Sequence, residues 1–179
     1  MKMAHGSLNT FRRLSLVLAC CAALSSVAKT PPVEITEYQI GQKLPDAALR
    51  GINGPSRHLR DFRGKPLLIN VWASWCGPCK REMTSLERLA WSELAEHINI
   101  IGISTDDYPQ QAKQWLAQSH STISHFIDEQ LWLEHMLGAS RLPLTVLVGA
   151  DGRILSKIYG ARDWNSPQAL ALLRAQFAL

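Results

Sequence analysis

Two cysteines stand two residues apart in Trp75-Cys76-Gly77-Pro78-Cys79-Lys80. At that spacing a pair closes a small disulfide or opens to a dithiol, and passing between the two states moves two electrons to or from a partner disulfide. Other uses of the spacing make further demands. A structural zinc knuckle needs a second pair of ligands, and no second Cys-x-x-Cys exists here. Covalent haem attachment needs His directly after the second cysteine, where this chain has Lys80.

A thiolate, not a thiol, attacks disulfides, so the elements that hold the cysteines decide their reactivity. Upstream, residues 66–73 (Pro-Leu-Leu-Ile-Asn-Val-Trp-Ala) form an apolar run of strand length, rich in branched and aromatic side chains. Downstream, Met83, Leu86, Leu89, Ala90 and Leu94 recur at three- and four-residue spacing, one face of a helix. Cys76 therefore falls where a buried strand turns into a helix, in an exposed turn. The unpaired N–H groups and dipole of the first helical turn favour an anion there. In such motifs the first cysteine's pKa falls from about 8.5 toward about 7. Pro78 lacks an N–H, a loss that the first turn tolerates. Cys79, one turn further in, is expected to be shielded and to act second.

The longer string Gly64-Lys65-Pro66-Leu67-Leu68-Ile69-Asn70-Val71-Trp72-Ala73-Ser74-Trp75-Cys76 resembles the TlpA-like family, exported thioredoxin-fold thiol–disulfide oxidoreductases of bacteria. The resemblance runs from about Gly41 to the C-terminus. It implies an α/β thioredoxin-like fold: a central mixed β-sheet flanked by helices, with an N-terminal β-hairpin and a central helix-strand insertion. It implies catalysis by Cys76 and Cys79 supported by Trp75, Gly77, Pro78 and Asn70, with no cofactor beyond that redox pair and no metal. It maps Pro143, in Arg141-Leu142-Pro143-Leu144-Thr145, onto the cis-proline that lies against the cysteines, leaving the Leu142 backbone to pair with an extended substrate. One departure stands out. Thioredoxin carries a buried Asp six residues before its first active-site cysteine, and this chain has Asn70. An Asn takes no proton from Cys79. Glu82, Glu129 and Glu134 are the candidate replacements, although each also reads as a solvated helix residue.

The 179 residues allow one domain of common size plus an extension, and 46% hydrophobic content suffices for a core. Formal charge is +4, but residues 1–28 hold three of the 19 basic residues and no acid, leaving 16 basic against 15 acidic. No basic run or basic–aromatic face remains, which argues against nucleic acid as a partner. Residues 1–28 read as a targeting segment: Arg12-Arg13, an apolar stretch over 14–24, then Ser26-Val27-Ala28 as a small-x-small cleavage site. The stretch is short for a membrane span, which takes about 20 residues. Val17-Leu18-Ala19-Cys20 also resembles a lipoprotein box, with Cys20 as the lipidated residue. Signal peptide, lipid anchor and uncleaved anchor all remain open. Each implies export to the periplasm, with the inner membrane involved only if the leader is retained or lipidated. Cleavage after Ala28 would leave Cys76 and Cys79 as the sole cysteines, a pair kept for chemistry rather than as a staple.

Residues 29–40 contain Pro31-Pro32 and read as a linker, and 41–179 as the domain. Turn signals at Asn53-Gly54-Pro55 and Arg63-Gly64 frame a small hairpin around Ala48-Leu49 and His58-Leu59. The first helix is predicted from about 77 to 97, then a buried strand over 97–104. Asp106-Asp107 follows that strand. The pair could do acid–base work, but Asp107 reads better as the cap of a helix that Pro109 helps start. That helix is predicted to run to about 118, followed by a strand over 122–127 and a short helix over 132–137. Asp151-Gly152 turns a hairpin, and Ser166-Pro167 opens a last helix with Leu170, Leu173 and Phe177 inward. Trp164 reads as packing.

The leading functional expectation is a monomeric protein-disulfide reductase, since Gly77-Pro78 is also the dipeptide of thioredoxin, a reductant at about −270 mV. Its partners would be disulfide-bearing exported proteins, by resemblance those of cytochrome c or copper-oxidase assembly, and a membrane thiol donor that restores the dithiol. Two alternatives remain. A Cu(I) or haem carrier would use the two thiolates, although no Met or His stands near them in sequence. A thiol peroxidase would need Thr three residues before its cysteine, where this chain has Ala73.

Overall fold

The computed structural model describes residues 36–179. The expected leader with Cys20, and the start of the expected linker, lie outside the described residues. The end of that linker is docked on the domain. Tyr38 N–H donates to Met136 O at 2.9 Å, Gly41 N–H donates to Ile154 O at 2.8 Å, and Glu37 pairs with Lys157 at 2.7 Å.

The strands are β1 (Ala48–Gly51), β2 (Arg57–His58), β3 (Leu67–Trp72), β4 (Asn99–Ser104), β5 (Ser124–Ile127), β6 (Leu144–Val148) and β7 (Ile154–Tyr159). The α-helices are α1 (Gly77–Ala90), α2 (Pro109–Ser119), α3 (Trp132–Leu137) and α4 (Pro167–Phe177). One mixed sheet has the order β2-β1-β5-β4-β3-β6-β7. Strands β3, β4 and β5 are parallel, while β6 runs antiparallel to β3, β7 to β6, and β1 to both β5 and β2. This is the predicted thioredoxin-like architecture. The hairpin and the inserted strand extend the sheet itself: β5 pairs beside β4, and β1 continues outward from it.

Every residue of β3 is buried, because both faces of the central strand are covered. Side chains alternate between the faces. Leu68 and Trp72 join the core with Leu86, Leu89, Leu116, Trp164 and Leu173, under α1, α2 and α4. Leu67, Ile69 and Val71 join the opposite core with Phe126, Leu133 and Leu137, under α3.

Helix α1 is shorter than predicted. It ends at Ala90, and residues up to 97 form a turn and a 3-10 helix, Glu93–Glu96. Ser92 stops it: the Ser92 hydroxyl donates to Leu89 O at 2.7 Å, competing with helical continuation. Leu94, which the periodicity placed on the same helix, reaches the core from the 3-10 turn instead. The last helix starts as predicted, with Ser166 Oγ accepting from Ala169 N–H at 3.3 Å and Pro167 in its first turn.

Gly102 is required by packing. It pairs with Asn70 on one side and His125 on the other, and the His125 ring lies over it. A Cβ at Gly102 would stand 2.0 Å from His125 Nδ1, a distance the buried ring has no room to relieve. Gly102→Ala is expected to lower stability in urea unfolding by about 1–3 kcal/mol. In a His125→Ala background the same substitution should cost clearly less. Equal costs in the two backgrounds would mean that the ring does not set the limit.

Candidate active site

The turn between β3 and α1 is held from outside by one buried carboxylate. Asp106 is wholly buried and accepts from Ser74 N–H at 2.9 Å, from Ser74 Oγ at 2.6 Å and from Ser104 Oγ at 2.6 Å. It fixes the residue two places before Cys76 to the end of β4. The predicted capping role of its neighbour is not realised. Tyr108 occupies the cap position of α2, and no side chain caps that end. Asp107 lies one residue too early to reach the first-turn N–H groups.

Cys76 and Cys79 form a disulfide, with Cα atoms 5.3 Å apart. Cys76 is the cap residue of α1, and its Sγ accepts from Cys79 N–H at 3.2 Å. The sulfur thus takes up one of the first-turn donors that would stabilise a thiolate. The flanking Trp75, Gly77 and Pro78 are exposed, Trp75 by 69%. Cys76 itself is 5% exposed and Cys79 0%. The exposed turn predicted for Cys76 is therefore an exposed rim around a nearly covered sulfur, and Cys76 is still the more accessible of the two. Pro78 sits in the first helical turn, where it removes no intrahelical bond.

Glu82 lies one turn after Cys79 on the buried face of α1. Residues three apart share a helix face, so Glu82 lies on the same buried face of α1 as Cys79. It is 3% exposed and fully engaged. Asn70 Nδ2 donates to Oε1 at 2.7 Å, while Arg162 N–H at 3.2 Å and Trp164 Nε1–H at 3.3 Å donate to Oε2. Burial pushes its pKa up, and the donors from Asn70, Arg162 and Trp164 oppose this only in part. An acid raised in this way exchanges protons nearer neutrality than an ordinary Glu. Asn70, 1% exposed, also donates to Thr145 Oγ1 at 3.2 Å.

The three candidate acids thus separate. Glu129 pairs with Arg50 at 2.8 Å on a partly exposed surface. Glu134 is on α3, which packs on the opposite face of the sheet, and burial raises its carboxyl there. Only Glu82 joins Asn70 and α1. Trp164, read from sequence as packing alone, is a wholly buried donor to Glu82, and its own N–H donates to Ser85 Oγ at 3.0 Å. Asp106 was visible as a residue but not as the tie to Ser74.

The Leu142–Pro143 peptide bond is cis. Leu144 pairs with Val71, so Pro143 stands level with Trp72, at the end of β3 from which the cysteine turn leaves. Pro143 is buried and its carbonyl accepts from Gly160 N–H at 2.9 Å. Leu142 is half-buried and packs against the core cluster that contains both cysteines. Among the described residues, no group of three His, Cys, Asp or Glu side chains could hold a metal ion, and no helix is long and apolar enough to cross a membrane.

A cysteine pair that opens a helix, a cis-proline at the neighbouring strand and a mixed sheet of this order define a thioredoxin-fold thiol–disulfide oxidoreductase. The chain belongs to the Redoxin family, whose profile matches residues 39–173. It is similar to the thiol-disulfide oxidoreductase ResA of Bacillus thuringiensis, 25% identical over 84% of this chain and 87% of that one. It is also similar to the thiol:disulfide interchange protein DsbE of Pseudomonas aeruginosa, 35% identical over 74% of this chain and 73% of that one. A solved structure, a putative thiol:disulfide interchange protein DsbE from Chlorobium tepidum, superposes with a TM-score of 0.67 at 25% identity, covering 77% of this chain and 94% of that one.

If Asp106 anchors the turn, Asp106→Ala leaves Ser74 N–H, the half-buried Ser74 hydroxyl and the buried Ser104 hydroxyl without their acceptor. A loss of about 2–4 kcal/mol in urea unfolding is expected, with faster backbone amide exchange at Ser74. Unchanged exchange at Ser74 would show that the turn holds without it.

Proposed function

We propose that the domain is a periplasmic reductase of disulfides in exported proteins, and that Glu82 takes the place of the absent buried Asp as the proton acceptor for Cys79. The observation that carries the second half is the fully buried Glu82 carboxyl one turn below Cys79, raised in pKa and bound to Asn70.

In the dithiol, the Cys76 thiolate attacks one sulfur of the target disulfide; a Cys76–target S–S bond forms and the target's other sulfur leaves as a thiolate. Cys79 then loses its proton to Glu82. Its thiolate attacks Cys76 Sγ, closing the Cys76–Cys79 disulfide and releasing the target's second sulfur. Two electrons pass to the target, and Glu82 yields its proton as the target thiolates are protonated. A membrane thiol donor supplies the electrons that reopen the pair.

Trp75 and the backbone of Leu142 would form the docking edge for an extended target segment. The relatives named ResA and DsbE support the reaction class. The reducing direction rests on Gly77-Pro78, and export on residues 1–28. Cytochrome c or copper-site cysteines as targets rest on the family resemblance.

Cys79→Ser should accumulate mixed disulfides with targets, and Cys76→Ser should not. Glu82→Gln should slow resolution by about 100-fold at neutral pH while Cys76 is alkylated at its normal rate. Resolution at the wild-type rate in Glu82→Gln would remove Glu82 from the mechanism. Metal-dependent absorbance without turnover of insulin in dithiothreitol would replace the reductase by a metal carrier.

A further inference from the structure

Among the described residues, three buried polar atoms on the α1 side of the sheet have no hydrogen-bond partner in the protein: Asn70 Oδ1, Trp72 Nε1 and His125 Nδ1. They belong to one region. Asn70 and Trp72 are two apart on β3 and so share a face. Asn70 pairs across to Gly102, and Gly102 pairs across to His125. Gly102 has no side chain, and His125 Nδ1 overhangs it, 2.0 Å from where a Cβ would stand. The His125 and Trp72 rings meet edge to face with centroids 5.4 Å apart. Asn70 turns Nδ2 toward Thr145 on β6 and toward Glu82. Oδ1 diverges from Nδ2 at the same carbon, so it faces the β4 side, where His125 Nδ1 lies.

The protons can be assigned. The Ser121 hydroxyl donates to Glu87 Oε1 on α1. Burial alone would raise the Glu87 carboxyl, but hydrogen bonds from Ser121, Thr122 and Ile123 hold it below the ordinary range, so it is the ionised acceptor. A hydroxyl has one proton to give. In its 3.0 Å contact with His125 Nε2, Ser121 Oγ must therefore accept, and Nε2 carries the hydrogen. Burial keeps the imidazole neutral, its pKa pushed down to about 4. His125 Nδ1 is then a bare acceptor. The unpartnered set consists of two acceptors, Asn70 Oδ1 and His125 Nδ1, and one donor, Trp72 Nε1–H. The acceptors cannot serve each other, and the single donor serves one at most. A water molecule has two protons and free lone pairs, which matches the set, and buried waters make about three such bonds.

We propose that these three atoms bind one internal water, which donates to Asn70 Oδ1 and His125 Nδ1 and accepts from Trp72 Nε1–H, and that His125 is thereby a positioning residue holding Asn70 Nδ2 on Glu82. The water gives the Asn70 oxygen a donor on the β4 side, so the amide is held in one orientation. Turned over, the amide would present its oxygen to the Glu82 carboxylate. The water also completes a line of contacts from Glu87 through Ser121, His125 and Asn70 to Glu82, joining two carboxyls of the same helix by way of the sheet. The water site stands on its own geometry, while the consequence for catalysis rests on the reading of Glu82 given above.

The test is heteronuclear NMR on the full chain. In the wild type, His125 is expected as the Nε2–H tautomer, and Trp72 Nε1–H should show direct cross-relaxation with a long-lived water. His125→Phe should abolish that transfer and move the rising limb of the pH profile for mixed-disulfide resolution to higher pH, because Glu82 loses the steady donation of Asn70. An Nδ1–H tautomer, or no water transfer at Trp72 in the wild type, overturns the water site. An unshifted pH profile in His125→Phe overturns the positioning role. If water transfer is seen but Glu82→Gln resolves mixed disulfides normally, the water site is upheld and the error lies in the role given to Glu82.

Discussion

A carboxyl group buried one helical turn after a cysteine pair is the constraint on which the rest of this domain depends. Removing Glu82 from water costs several kcal/mol unless its oxygens are met by donors. The three donors come from two places: Asn70 on β3, and Arg162 and Trp164 on the segment between β7 and α4. Those bonds join the central strand, the first helix and the C-terminal part of the chain around one charge. Ser85 adds a second tie, donating to Glu82 O at 2.7 Å and accepting from Trp164 N–H. The donors offset part of the cost of burial, and what remains appears as a raised proton affinity. That raised affinity is what the role proposed for Glu82 toward Cys79 requires.

Reactivity at Cys76 has a separate origin. Its sulfur caps α1 and meets an N–H of the first turn, and the turn that presents it is tied by Asp106 to the end of β4. Two buried carboxyls thus serve the pair in different ways. Asp106 accepts only from serine hydroxyls and the Ser74 amide and fixes geometry. Glu82 shares the buried face of α1 with the second cysteine, and its raised proton affinity is what the proposed proton exchange would use. The sheet makes this division workable, because β3 and β4 are parallel and end together, delivering both the cysteine turn and Asp106 at one edge.

The fold was largely legible in the sequence. The apolar run of β3, the Cys-x-x-Cys at its end and the helical spacing after it are local signals, and the resemblance supplied the order of the remaining elements. Pro143 was placed by the same resemblance, and the register of β6 against β3 brings it to the cysteine end. What sequence could not separate were acids of equal local appearance. Glu82, Glu129 and Glu134 each read as a solvated helix residue, and only the packing of α1 on Asn70 and Trp164 distinguishes the first. Glu82 does share the buried face of α1 with Cys79, Met83, Leu86 and Leu89. A charged residue on an apolar helical face was the signal available for it. The end of α1 was misjudged because Leu94 keeps the helical period while Ser92 breaks the backbone. The roles of Trp164 and Asp106 depend on contacts across more than 30 residues of chain, which local patterns do not carry.

The central claim is that Glu82 and Cys79 share a proton in the reduced protein. It is tested most directly by following the Glu82 side-chain carboxyl by carbon-13 NMR as a function of pH, in the dithiol and in the disulfide. The prediction is an ionisation above the ordinary Glu range in both states. In the dithiol it should be biphasic, with a second inflection that coincides with titration of the Cys79 thiol and disappears in Cys79→Ser. A single ionisation in the ordinary range, identical in the two redox states, would contradict the account.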